Sequence, residues 1–270
     1  MTAAKKYAAV FRIRFINTLQ YRAAALAGIA TQFAWGFMEV LLFMAFYQVN
    51  PAAFPMELSH TVSYLWLRQS FLFLFMMWFF EYDIIASITQ GNIAYDLVRP
   101  VDLYTRWFCQ ICANRLARAA LRCSPILIVA FLLPEPLGMV LPANFGLVLV
   151  FLFSMALGLL VLTAFSMFIY ISLFFTMSPA GVRTIFAVLV DFLSGAIIPI
   201  PFFPPLLQTI VELLPFGAMM NVPFRIYSGD IYGREAVWGI GLQIFWLVFL
   251  VFLGRKFMSK AQNKVIVQGG

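Results

Sequence analysis

The stretch from Phe145 to Phe175 reads FGLVLVFLFSMALGLLVLTAFSMFIYISLFF, and no charge or proline interrupts the chain between Asn144 and Ser178. Its about 31 residues would make roughly 46 Å of helix, more than the ~30 Å hydrocarbon core of a bilayer requires. Two spans would need a turn inside the run, and no charge or proline supplies one. One long, tilted or protruding membrane helix is therefore expected.

The same measure picks out five further apolar runs, and together they describe an all-α, polytopic integral membrane protein. Residues 1–270 read as a single transmembrane domain with six transmembrane helices, at about 24–47, 62–80, 117–133, 145–175, 184–203 and 237–253. Bulk composition agrees, with 63% apolar residues, 11% charged residues and a mean hydropathy of +0.93. A soluble domain carries roughly 45–50% apolar and about 25% charged residues, so a water-soluble fold is excluded. Disorder is excluded by the same richness in apolar and aromatic residues. The run Ala23–Ala25 precedes the first apolar stretch, which continues to about Tyr47. That order does not fit a cleavable signal, and the segment is expected to stay as a span.

Orientation follows from the basic residues. Lys5, Lys6, Arg12, Arg14 and Arg22 precede the first span. Arg99, Arg106, Arg115, Arg118 and Arg122 lie between the second and third or just inside the third, and Arg183 separates the fourth and fifth. Arg255, Lys256, Lys260 and Lys264 follow the sixth, whereas the opposite loops hold only Arg225 and Arg234. The positive-inside rule then places both termini in the cytoplasm, and a seventh span would send the C-terminal cluster outside. The net charge of +7 thus belongs to membrane flanks, and no nucleic-acid partner is expected. Cys109, Cys112 and Cys123 all fall on the cytoplasmic side, where a disulfide framework is not expected.

Two segments outside the spans are apolar without being long enough to cross. Tyr7, Phe11 and Phe15 recur at i, i+4 within residues 4–20, which reads as an interfacial helix with Lys5, Lys6 and Arg12 near anionic lipid headgroups. Residues 202–224 are external, cut by Pro204, Pro205, Pro215 and Pro223, and their Leu206–Leu214 run is about half of a span. An external re-entrant helical hairpin is expected there, its backbone covered by protein.

No catalytic or metal-binding set is visible. Cys109 and Cys112 form a CxxC, but a zinc site wants about four ligands, only Cys123 is near, and the sole histidine, His60, is expected across the membrane. No glycine is followed by lysine, so the phosphate-binding GxxxxGK[ST] loop is absent. Ionisable groups inside the apolar runs are costly there and draw attention for that reason. Glu39 and Arg68 lie roughly 9–12 Å deep on antiparallel neighbours and are expected to pair or share a polar pocket, as a structural ion pair or a working one. If they pair, charge reversal at both positions should restore folding lost in either single variant. Asp191, roughly 10 Å into the fifth span, reads equally as a residue lining a path or as a helix-packing group. Residues 1–135 and 136–270 show no convincing repeat, against an inverted-repeat carrier.

Residues 88–100 read Ile88-Thr89-Gln90-Gly91-Asn92-Ile93-Ala94-Tyr95-Asp96-Leu97-Val98-Arg99-Pro100. The pattern resembles the I-x-x-G-x-(I/L)-x-x-x-L-x-x-P stretch after the second span of ABC-2-type transporter permeases. Leu193-Ser194-Gly195, Pro199, Pro204 and Leu214-Pro215-Phe216 resemble the fifth span and external hairpin of the same family. The six-span layout, the interfacial helix and the length also agree, so the resemblance covers nearly the whole chain.

That resemblance implies a permease subunit of an ATP-driven exporter in the bacterial plasma (inner) membrane. Its partners would be a separate ATP-binding cassette ATPase and a second permease chain, the same or homologous, with the path between the two permeases. This chain would bind no cofactor, with ATP and Mg on the partner ATPase. Gly91, Asn92, Ile93, Tyr95, Asp96, Leu97, Arg99 and Pro100 would form the coupling helix that docks into the ATPase. The N-terminal helix would be the family's connecting helix, and the hairpin with Pro199, Pro204, Pro205 and Pro215 would cover the outer end of the path. The residues suit these roles: Gly91 permits a turn, Pro100 closes the element, and Ile93 and Leu97 share a face. Tyr95, Asp96 and Arg99 then supply polar contacts. The 31 Phe and 13 Met offer adaptable surfaces for an amphiphilic drug, peptide or lipid-like substrate, or simply face membrane lipids. The alternative is a proton- or ion-coupled secondary transporter working through Glu39, Arg68 and Asp191.

Overall fold

The computed structural model describes residues 3–20, 22–176 and 179–263. Lys264 of the C-terminal basic cluster lies outside the described residues. Among those residues the chain forms twelve α-helices and no strand. Three helices are long and apolar enough to cross a membrane, over Leu26–Val49, Phe145–Thr176 and Gly233–Gln262.

Helix α1 (Ala3–Leu19) stacks Phe11 on Phe15, ring centroids 6.0 Å apart, and leaves Ile13 and Ile16 exposed. It packs along the first half of α7 (Leu103–Leu132), where Thr18 donates to Asn114 Oδ1 at 2.9 Å. Helix α2 (Arg22–Val49) is followed by α3 (Leu58–Ser70), which packs against it. Close approach is possible because Gly36 has no Cβ to meet the Trp66 ring.

The run expected as one span over 62–80 is not one uninterrupted helix. Helix α3 ends at Ser70, a single turn α4 (Leu72–Phe75) follows, and Met76 is already extended at φ −68°, ψ 139°. Backbone groups freed at a helix end inside apolar surroundings need partners. Arg115 Nη1 supplies them, donating to Leu74 O at 3.1 Å and Met76 O at 2.8 Å. A buried guanidinium from a distant helix therefore stabilises the break.

Two short helices, α5 (Tyr82–Thr89) and α6 (Ile93–Leu97), lead into α7, which begins well before the expected 117–133 segment. Asp102 caps it, accepting from Thr105 N at 2.8 Å and Thr105 Oγ1 at 2.6 Å. Helix α8 (Phe145–Thr176) is a single 32-residue helix. Helix α9 (Pro179–Leu193) stops ten residues before the expected end at 203, because Gly195 turns into the left-handed region at φ 86°. A Cβ there would also strike the Tyr64 hydroxyl at 2.5 Å. A one-turn 3-10 segment at Ile200–Phe202 then precedes α10 (Pro205–Leu213) and α11 (Asn221–Ser228), which runs past the expected hairpin limit of 224. Arg225 ties this region together through Glu212 at 2.7 Å and Asp230 at 2.5 Å.

Helix α12 (Gly233–Gln262) lies along α8. It buries Ala236, Gly239, Gln243, Leu250, Gly254, Met258 and Ala261, a largely small-residue stripe at helical spacing. Gln243 closes the seam by donating to Ser154 O and Ala218 O and accepting from Ser154 Oγ at 2.9 Å. Ser154 and Gly158, a small-residue pair at i, i+4, are both buried within the chain, with Gly158 against the Met219 backbone.

Candidate functional site

Two regions gather the residues singled out in the sequence. The first is a cavity of about 720 Å³ between α2, the α3–α4 pair and the end of α9. Glu39, Arg68 and Asp191 all line it, although they come from three separate helices. A cavity of about 790 Å³ on the face of α12 is larger but has Arg234 as its one ionisable lining residue, which leaves little chemistry there.

Glu39 and Arg68 form an ion pair, with the Arg68 side chain 3% exposed. Arg68 does more than neutralise Glu39. Its Nη1 donates to Ala196 O at 2.7 Å and Ile197 O at 3.0 Å, the carbonyls released where α9 ends. The expected pair is therefore present, but charge reversal at both positions would restore it without these two bonds, because a glutamate at 68 accepts and cannot donate to the carbonyls. Gln69 Nε2 adds a bond to Glu39 Oε2 at 3.0 Å, and Gln32 Nε2 donates to Gln69 O at 2.6 Å. Neither glutamine stood out in the sequence. A signal was present, since Gln32 and Glu39 are seven residues apart in α2 and so share a face. Asp191 lies on α9 within hydrogen-bonding reach of the Met77 backbone N–H and the Trp78 side chain.

The second region is the 81–106 stretch. Gly91 sits at φ 77° and allows the turn between α5 and α6. Asn92 precedes α6 with its side chain 3.4 Å from Gln90 Oε1. Ile93 is buried and anchors the element, whereas Leu97 is 37% exposed, so the two do not bury one common face. Asp96 is held inward by Arg106 at 2.6 Å, with Arg99 at 3.6 Å. Tyr95, Val98 and the Arg99 side chain face outward. Val98 was not among the expected contact residues, and its 81% exposure makes it the most open apolar side chain in the element.

Helix α1 clamps both ends of this stretch. Lys6 Nζ donates to Pro100 O at 3.1 Å, Asp102 N donates to the Tyr7 hydroxyl at 2.9 Å, and Arg14 pairs with Asp83 at 2.7 Å. Glu81, where the stretch begins, accepts from Asn114 Nδ2 at 2.6 Å. The exposed turn is thereby fixed to two long helices. Displacement of the turn would load α1 and α7 directly.

The hairpin prolines occupy backbone-defining positions. Pro199 precedes the 3-10 turn, Pro204 and Pro205 open α10, and Pro215 follows its end. Proline fixes φ near −65° and lacks the N–H that a first helical turn cannot use. The three cysteines are free thiols, and burial pushes Cys112 up to about 12, well outside the range of a reactive thiol. Among the described residues no cluster of His, Cys, Asp and Glu could hold a metal ion.

A comparison with curated proteins gives no match. A family model described as "ABC-2 family transporter protein" matches residues 33–269, which takes in α3 to α12, the turn around α6 and most of the cavity lining, though not Gly28, Thr31 and Gln32. An all-helical chain whose apolar helices suit a membrane, and which is matched over most of its length, belongs to the ABC-2 family of transporter proteins.

Proposed function

We propose that the chain is the permease subunit of an ATP-driven exporter in the bacterial inner membrane. The observation that carries this is the turn around α6, which presents Tyr95, Val98 and Arg99 outward while α1 and α7 grip it from behind. A surface built that way suits an ATPase subunit whose ATP-driven closure must be passed to membrane helices. ATP and Mg would sit on that partner, and this chain would supply the two-state element that they bias.

In this reading the chain crosses six times, through α2, α3–α4, the second half of α7, α8, α9 with the residues that follow it, and α12. Both termini and the α6 turn are cytoplasmic, and α10–α11 form the external hairpin. The cavity holding Glu39, Arg68 and Asp191 would form one wall of a path completed by a second permease chain. Its apolar lining, with Trp35 and Trp78 exposed, fits an amphiphilic substrate.

The test is co-expression with candidate ATPases, purification in mild detergent and mass spectrometry of what co-elutes. A stoichiometric P-loop ATPase is expected. The Tyr95→Ala, Arg99→Ala double variant should still insert and should lose export by roughly tenfold or more, as loss of two central interface contacts does. A homo-oligomer without an ATPase that transports in response to a pH gradient would replace this reading with an ion-coupled carrier.

A further inference from the structure

We infer that the cavity between α2, α3–α4 and α9 takes a protonated amphiphilic amine, with Asp191 as its counter-charge and Gln32 Oε1 as a hydrogen-bond acceptor. The inference rests on the reading of that cavity as a transport wall and narrows its substrate class.

The donors and acceptors in the cavity are unbalanced. The Arg68 guanidinium is already engaged by Glu39 and by the carbonyls of Ala196 and Ile197. Gln69 Nε2 is bound to Glu39, and Gln32 Nε2 to Gln69 O. Arg122, behind Gly28, lies over the Phe73 ring at 3.7 Å. On the acceptor side, Gln32 is 3% exposed and its Oε1 has no partner. Asp191 forms no ion pair among the described residues: it meets a backbone N–H and a tryptophan side chain, and the cation that acts on it, Arg115, has its Nη1 committed to the carbonyls of Leu74 and Met76. A buried acceptor without a donor is costly, and a carboxylate in apolar surroundings is more costly still without a close cation.

A ligand that brings both a positive charge and N–H donors removes both deficits at once. A primary or secondary ammonium does so. A carboxylate or phosphate would meet Asp191 with like charge, and a neutral lipid would leave it unpaired. The rest of the lining suits the body of such a molecule, because Trp35, Trp78, Leu72 and Val188 present apolar and aromatic surface to it. Tryptophan faces also attract cations.

The test uses the full chain in lipid nanodiscs, with empty nanodiscs as the blank. The probes are dansylcadaverine, which carries a primary ammonium, and its N-acetylated neutral twin, and the readout is fluorescence anisotropy. Saturable binding of the amine about tenfold tighter than its twin is expected, as for a charge-assisted contact. Asp191→Asn should reduce that preference to about twofold or less, and Asp191→Glu should keep most of it. Gln32→Leu should weaken the amine by about threefold with little effect on the twin.

Equal binding of both probes would overturn the amine assignment and leave the cavity a binding site. Binding of neither would overturn the cavity as well. An Asp191→Asn variant that keeps the full preference would remove Asp191 from its role. If that variant instead separates a permease pair, a basic side chain of the second chain is the counter-charge and the inference fails. ATPase co-elution is independent of all these results, so failure of the transport reading is seen separately.

Discussion

Helices α3 and α12 are built on opposite plans. Helix α3 carries Ser, His, Thr, Arg and Gln among its thirteen residues, and every position from Thr61 to Ser70 is buried. Helix α12 is thirty residues long with an apolar centre, yet only 22% of its most apolar window is buried. In water the more polar helix would be the exposed one. In a membrane the outer surface faces hydrocarbon, and polar groups are tolerated where protein supplies partners. Helix α3 has them: Trp66 Nε1 bonds Leu137 O at 2.8 Å, Ser63 Oγ accepts from Val140 N at 3.0 Å, and Arg68 takes the carbonyls after α9. The comparison teaches that hydropathy does not rank these two helices by burial: the less apolar α3 is the one packed inside, and the apolar α12 leaves most of its surface open.

The strongest way to break this comparison is to remove Arg68. Arg68→Leu makes α3 more apolar, so a hydropathy argument expects a gain. Burial expects a loss of about 3–5 kcal/mol, since Glu39 and two carbonyls lose their partner. Thermal unfolding in detergent decides, and an unchanged midpoint would sink the account of α3. The Glu39→Arg, Arg68→Glu exchange sharpens the point. It should recover less than half of that loss, because the pair returns while the carbonyls at 196 and 197 stay unpaired.

The polar exception in α12 comes next. Gln243→Leu should cost about 1–2 kcal/mol by leaving Ser154 and the Ala218 carbonyl without it. A stabilised variant would show that the seam is held by its small residues alone. On the outward side of the same helix, Phe252→Leu should stay within about 0.5 kcal/mol, because Phe252 is exposed where lipid replaces the contact. A large drop there would place α12 at an interface rather than against lipid.

The smallest effect concerns reactivity. With its thiol pushed up to about 12 by burial, Cys112 should react with a maleimide at pH 7 far more slowly than an exposed cysteine. Rapid labelling of Cys112 in a Cys109→Ser, Cys123→Ser background would contradict the packing of α7 on α8.

Local physics made part of this protein legible. A helix that crosses a membrane must be apolar along its own length, so α2, α8 and α12 announce themselves residue by residue. Gly91 and Pro100 bracket α6 for equally local reasons, because one permits a turn and the other cannot continue a helix. Asp102 before Leu103 is likewise a cap that short-range chemistry explains. Tertiary structure decided the rest. The break after Phe75 depends on Arg115, and the end of α9 depends on Arg68 and on the hydroxyl of Tyr64 beside Gly195. Glu39, Arg68 and Asp191 meet in one cavity only because three helices converge there, and the acceptor left over on Gln32 exists only once packing has buried it with its amide turned to Gln69. A hydrogen bond between residues far apart in the chain leaves no periodicity in the sequence. The partners of a buried polar group are set by packing, and packing is a property of the folded whole.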